Sequence, residues 1–298
     1  KCDWSSDVCS SDLLFLSLLV ILGCRTYFGP EFDTWAWRIP FLLSAILLAI
    51  SVVLIAVGAS VISPLYVANS SEIDGPTLRV MQANLLFGQA DPASLTATVR
   101  EKAVDVLTVQ ELTTSLEGSL RDQGLEQLLP HHYLVPDEAG GGGAGIYSRY
   151  PLTDTRELNG FGPTNLVAEV GFSTPFTLLA VHPGPAYVTP PDVWTAELST
   201  LRNALDAAAA EETVIVSGDF NTTFTHKQFR DLLDVGYSDA ADQLGVGIVR
   251  TYPADKKFPA IVGIDHVLLR GGQAKSLERI DIEGSDHFGL IVDVAIPN

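Results

Sequence analysis

Cysteine is almost missing from this chain. Its three copies, Cys2, Cys9 and Cys24, all fall within the first 24 of 298 residues. No disulfide framework or cysteine metal site can therefore organise the remainder. Bases are scarce as well, with 18 Lys and Arg against 36 Asp and Glu and a net charge of -18. Residues 1–69 hold three bases (Lys1, Arg25, Arg38) and five acids (Asp3, Asp7, Asp12, Glu31, Asp33), a balance of -2, so residues 70–298 carry -16. A surface this acidic repels polyanions at long range and disfavours broad nucleic-acid binding. A phosphate-cradling loop is lacking too. The run from Gly140 to Gly145 has no Lys or Ser/Thr at the required spacing, and it reads as a surface loop too flexible for a core.

What the sequence does have, ahead of residue 70, is apolar length. From Ile39 to Ser71 there is no charged residue, and Phe41 to Ile62 is almost wholly Leu, Ile, Val and Ala. The run predicts a transmembrane helix over 39–62, with Trp35 and Trp37 as an interfacial belt. An earlier apolar stretch, 14–24, is shorter than the roughly 20 residues a span needs and reads as the end of a truncated membrane helix. Residues 1–13 are polar and begin without Met. They read as the in-frame translation of a sequencing-library adapter, with the natural N-terminus expected further upstream. Arg25 and Arg38 lie in the loop between the two apolar stretches, and no base follows before Arg79. The positive-inside rule places that loop in the cytoplasm and the rest of the chain outside it. The organisation is then a membrane region at 14–68, a linker at 69–76 and one domain at 77–298. Too few helices remain for a transporter.

Within that domain the stretch Val214–Asn221 carries the densest chemistry. A β-branched run reads as a buried strand and ends in Ser217-Gly218. Asp219 and Asn221 follow, and in extended backbone residues two apart point the same way. A carboxylate and an amide side by side suit a phosphate and a water. The same residues also suit a plain turn after a strand. Leu78–Asn84 alternates as a strand with Asn84 at its end. Asp91-Pro92 starts a helix to about Lys102. The strand Val104–Val109 delivers Gln110-Glu111, and a half-buried carboxylate there needs a partner such as a cation. Phe176–Val181 ends in His182-Pro183. Helices are predicted over 192–210 and from His226 to Val235. A strand from Ile264 to Leu269 starts with Asp265-His266. Asp286-His287 offers a carboxylate and a base in one turn before a last strand at 291–296. His131, His132 and His226 lie in polar surroundings and receive no role. The strand–helix–strand rhythm predicts an α/β fold with mixed sheets.

Asn84, Val109-Gln110-Glu111, Tyr147-Ser148-Arg149-Tyr150-Pro151-Leu152, Val181-His182, Ser217-Gly218-Asp219-Phe220-Asn221, Ile264-Asp265-His266-Val267 and Ser285-Asp286-His287 come in a characteristic order. Over residues 77–296 the chain thereby resembles the endonuclease/exonuclease/phosphatase superfamily, the deoxyribonuclease I-like metal-dependent phosphoesterases. The resemblance implies a four-layered sandwich of two mixed β-sheets flanked by helices. It implies that Asn84 and Glu111 hold a Mg²⁺ or Mn²⁺ with Asp286 near it, and that Asp219 activates water. Asn221 and His182 would contact the phosphate, and Asp265 would support His287 as general acid or electrostatic stabiliser. Where some nuclease members have an acid two positions after the Asn, this chain has Leu86, so its metal would have fewer protein ligands and more water. Fold does not choose among nuclease, lipid phosphodiesterase and phosphomonoesterase. The acidic charge favours small or lipid phosphoesters at the bilayer over duplex DNA. An inactive binding module of the same fold is the alternative class, and the presence of every motif residue speaks against it. Nothing points to a protein partner.

Overall fold

The computed structural model describes residues 35–69, 72–138 and 140–298, leaving aside the side chains of 35–39, 41 and 61. The adapter-like segment 1–13 and the short apolar stretch 14–24 lie outside the described residues. The chain divides after Ile62 into two compact units. The first contains helix α1, Trp35–Ile62. Its portion Leu42–Ser60 has a mean hydropathy of 2.8 and none of it is buried. A helix that is apolar all round and packs no face of its own fits a membrane interior, and this one is long and apolar enough to cross a membrane.

The second unit begins at Ser63. In chain order its longer elements are β1 (Thr77–Asn84), α2 (Pro92–Glu101), β2 (Val106–Gln110), α3 (Thr114–Asp122), α4 (Leu125–Leu128), β3 (His131–Val135), β4 (Ala144–Ser148), β5 (Leu152–Leu158), β6 (Asn165–Val170), β7 (Phe176–Val181), α5 (Pro191–Ala208), β8 (Val214–Asp219), α6 (Lys227–Leu233), β9 (Ser238–Asp239), α7 (Ala240–Leu244), β10 (Asp265–Arg270), β11 (Gln273–Asp281) and β12 (Phe288–Ala295). They form two six-stranded sheets, β11-β12-β1-β2-β4-β3 and β5-β6-β7-β8-β10-β9. Both sheets are mixed. Each has one parallel pair at its centre, β1 with β2 and β7 with β8, and the remaining pairs are antiparallel.

Period-two alternation in the central strands explains the layering, because both faces of each strand are buried. In β1, Val80 faces the opposing sheet, in one cluster with its Leu178, Ile215 and Val267. Its neighbour Met81 turns outward to Leu95, Leu107, Leu116 and Leu120, beneath α2–α4. In β8, Ile215 faces inward while Val216 packs outward on Leu198 and Leu201 of α5 and Phe229 of α6. The result is helix, sheet, sheet, helix, the expected four layers. All three apolar cores lie within Ser63–Asn298, so this unit has what a free-standing domain needs. The predicted helix start holds: Asp91 caps α2 by accepting from Ser94 N at 2.7 Å, with Pro92 as first helical residue.

The glycine run departs from the expectation of a loose surface loop. Gly145 lies inside buried strand β4. A Cβ on Gly143 would stand 2.0 Å from Leu112 O and 2.6 Å from Asp137 N, so a side chain cannot fit there. The glycines serve close backbone approach where β4 enters the sheet.

Candidate active site

Topology gathers the chemistry at one edge. The parallel strands β1 and β2 end there in Asn84 and Gln110, and Glu111 follows. The parallel strands β7 and β8 deliver His182 and Asp219. β10 runs antiparallel to β8, so its first residue, Asp265, pairs with Asp219. β12 runs antiparallel to β1, which brings Asp286 and His287, just ahead of Phe288, to the same edge. A side chain on Gly218 would put its Cβ 2.0 Å from Val181 O, and a glycine there lets the two strand ends close up.

Asn84 joins the two sheets, as its Nδ2 donates to Glu111 Oε1 at 3.0 Å and to Asp219 Oδ2 at 3.1 Å. Its Oδ1 accepts from Leu86 N at 3.0 Å, and Glu111 Oε2 accepts from Phe87 N at 2.8 Å. Leu86, Phe87 and Glu111 all hold positive φ, so the backbone here bends tightly around the carboxylate. His182 Nε2 stands 3.7 Å from Asp219 Oδ2 and 3.9 Å from Glu111 Oε1. His287 Nε2 stands 3.8 Å from the same Asp219 oxygen and 4.0 Å from Asp286 Oδ1. Behind it, His287 Nδ1 meets Asp265 Oδ2 at 2.9 Å, while Gln82 Nε2 donates to Asp265 Oδ1 at 2.7 Å. The Tyr252 ring lies 4.9 Å from the His287 ring.

Burial raises the Asp219 carboxyl to about 7, opposed by the charge of His287. Burial alone would lower the His287 imidazolium, but Asp265, then Asp219, more than offset it and raise it to about 10. His182 goes the other way, to about 4, because burial dominates and His287 adds to the effect. Near neutral pH the site therefore holds a carboxylate poised to exchange a proton, one charged imidazole and one neutral imidazole. Burial also raises Glu111 and Asp286, and their mutual repulsion adds to the rise of Glu111.

Four carboxylates, Glu111, Asp219, Asp265 and Asp286, thus share the site with two histidines, and the donor chemistry suits a hard divalent cation. Asp219, Asp265 and His287 present ligand atoms within 4.8 Å of one another and could hold a metal. Yet both Asp265 oxygens and His287 Nδ1 already bond within the protein. Both Glu111 oxygens likewise accept protein hydrogen bonds, and Asp219 Oδ2 meets the two histidine Nε2 atoms only at 3.7 and 3.8 Å.

All eight residues singled out from the sequence reach this edge. Asn221 does so in another way than expected. β8 stops at Asp219 and Asn221 has a φ of 47°, so the two side chains do not project together from one extended strand. Instead Asp219 Oδ1 accepts from Asn221 N at 2.8 Å, as in an Asx turn, and Asn221 Nδ2 donates to Pro183 O at 2.9 Å. His131 and His132 are in β3, and His226 stands at the start of α6, outside the constellation. The sequence reading passed over Gln82, Asn165 and Glu197. Gln82 is two positions before Asn84 on the same face of β1, a period-two signal that was available. Asn165 brackets His182 by accepting from its N at 2.7 Å and donating to its O at 3.2 Å. Buried Glu197 accepts from Gly162 N at 2.9 Å and Gly184 N at 2.6 Å, tying down the loop after His182. Nothing local marks those two, since their partners lie far along the chain.

Residues 81–287 match the family model described as the endonuclease/exonuclease/phosphatase family. No curated protein sequence matches the chain. Solved structures share the fold. A humanized D. rerio TDP2 carrying 14 mutations is 20% identical with a TM-score of 0.59, over 73% of this chain and 98% of that one. An endonuclease/exonuclease/phosphatase from Bacteroides vulgatus is 15% identical with a TM-score of 0.58, over 74% and 99%. The Bacteroides thetaiotaomicron mannosyl-6-phosphatase Bt3783 is 14% identical with a TM-score of 0.57, over 74% and 100%.

Proposed function

Because the chain belongs to the endonuclease/exonuclease/phosphatase family, we propose that it is a membrane-anchored hydrolase of phosphoesters, dependent on Mg²⁺ or Mn²⁺, with its catalytic unit outside the bacterial cytoplasm. One observation carries the reading: Asp219 is a buried carboxylate, raised into the neutral range, with a histidine Nε2 at 3.7 Å on one side and at 3.8 Å on the other. A carboxylate in that range is a competent base toward water. Asn84 and the Asn221 backbone hold its two oxygens in place and favour the ionised form that acts as the base.

His287 is protonated at neutral pH and gives charge or a proton to the departing oxygen. Asp265 Oδ2 accepts from His287 Nδ1 and Gln82 Nε2 donates to the other Asp265 oxygen, so the His287 Nε2–H is left facing the site. Neutral His182 and the Asn221 amide offer polar contacts to the phosphoryl group. Glu111 and Asp286, with the remaining lone pair of Asn84 Oδ1, would hold the cation, which when bound neutralises charge on the phosphoryl oxygens. No residue is placed as a covalent nucleophile.

The test is a phosphoesterase assay on the purified chain with Mg²⁺, Mn²⁺ or chelator. Turnover should require the divalent ion, Asp219→Asn should abolish it, and Glu111→Gln should raise the metal concentration needed while slowing the rate. His287→Ala should cost on the order of 10²–10⁴-fold on a poor leaving group and less on nitrophenolate. Metal-independent hydrolysis, or an active Asp219→Asn, would sink the mechanism. For topology, a phosphatase reporter joined after residue 75 should be active, and a dark reporter would reverse the orientation.

A further inference from the structure

In an acidic chain, the segment Asp255–Ile261 is an exception. It contains Lys256-Lys257, the one place where two bases are adjacent. Phe258 and Ile261 follow, 50% and 61% exposed. Lys256 ion-pairs with its neighbour Asp255 at 2.6 Å, and Lys257 pairs with none of the described residues. This loop hangs from the active site itself. Tyr252, against the His287 ring, begins it, and Tyr252 O accepts from Ile261 N at 2.8 Å to close it. Ala254 N donates to Asp286 O at 2.7 Å.

Other exposed apolar side chains gather on site-bearing loops. Among the described residues from Ser63 on, nine large hydrophobics are exposed: Tyr66, Val67, Phe87, Tyr187, Val188, Val193, Val246, Phe258 and Ile261. Five belong to loops that hold or adjoin catalytic positions. Phe87 follows Asn84, Tyr187 and Val188 follow His182, and Phe258 and Ile261 follow Tyr252. Tyr187 and Val188 are 79% and 68% exposed. Exposed aromatic and aliphatic side chains carried on the loops of a polar site fit a surface that is covered in use.

We propose that the loop Asp255–Ile261, together with Tyr187 and Val188, seats the catalytic unit on an anionic lipid surface, and that the phosphoester it hydrolyses is a lipid. The claim about substrate rests on the phosphoesterase reading above; the claim about binding does not. Paired lysines answer anionic headgroups, and Phe, Ile, Tyr and Val enter the boundary between headgroup and acyl chain. Duplex or single-stranded nucleic acid fits less well. It needs a track of bases along several phosphates, and here a single lysine pair stands in a -16 domain. The same chain also carries a helix apolar enough to cross a membrane.

The experiment is flotation of residues 63–298 with vesicles of phosphatidylcholine alone or with phosphatidylglycerol in equal parts, beside DNA oligomers at matched phosphate. The unit should float with the phosphatidylglycerol vesicles. Lys256→Glu with Lys257→Glu should weaken this about tenfold or more, and Phe258→Ser with Ile261→Ser should weaken it on both vesicle types. Melting temperatures should not move, since all four side chains are exposed; the single Lys257→Gln, which no contact opposes, serves if either double variant melts lower. Absence of binding, binding indifferent to all three variants, or tighter lysine-dependent binding to DNA would overturn the proposal. Because binding is scored without turnover, its failure would leave the hydrolase reading standing, and a catalytically silent protein that still floats would indict only that reading.

Discussion

Asp219 and His287 face one another with opposite requirements, and the pH profile follows from them. Asp219 must be ionised to accept a proton, and burial raises it to about 7, so the rate should rise with pH through that value. His287 must keep its proton, and its value of about 10 sets the alkaline fall. Between the limbs the rate should be flat. Asp265 is the largest positive influence on His287. Asp265→Asn should therefore move the alkaline limb to lower pH, measured as kcat against pH under saturating metal. An unmoved alkaline limb would show that the group titrating there is not His287. Single side chains were also the scale at which the sequence was most legible. All eight chosen residues converge because each stands at a strand end or within two residues of one. What escaped was support from a distance: Glu197, buried inside α5, holds a loop 13 residues before it in the chain through Gly184 N, and no local pattern encodes such a partnership.

At the scale of elements, strands written as short apolar runs were legible nearly to the residue, Phe176–Val181 being one. Ends governed by backbone geometry were not. β8 was expected to run on far enough to point Asn221 with Asp219, but the left-handed turn at Asn221 ends it early. The glycine run looked loose because glycine is permissive, whereas here it is needed for closeness. Gly218 tests that view of glycine. A methyl group there meets Val181 O at 2.0 Å, at the last pair of the parallel β7–β8 ladder. Gly218→Ala should cost about 1–3 kcal/mol of stability, measured by denaturant unfolding, and should part His182 from Asp219. A neutral substitution would mean that the two strand ends have slack.

For the whole molecule, charge decides more than shape. A domain at -16 offers little for duplex phosphate to grip, so plasmid cleavage should be weak and almost insensitive to salt between low and physiological strength. Efficient cleavage that collapses as salt rises would contradict this. The two sheets meet through an apolar core, but near the site they are fastened by side-chain bonds: Asn84 to Asp219, Gln82 to Asp265, Thr108 to Ser217, and His287 to Asp265. Each of these bonds has one partner in each sheet. Neither sheet can then drift in sequence alone. Across descendants of this fold, position 82 should change in step with 265, and position 108 with 217, so that the history of substitutions would record which residues touch across the seam.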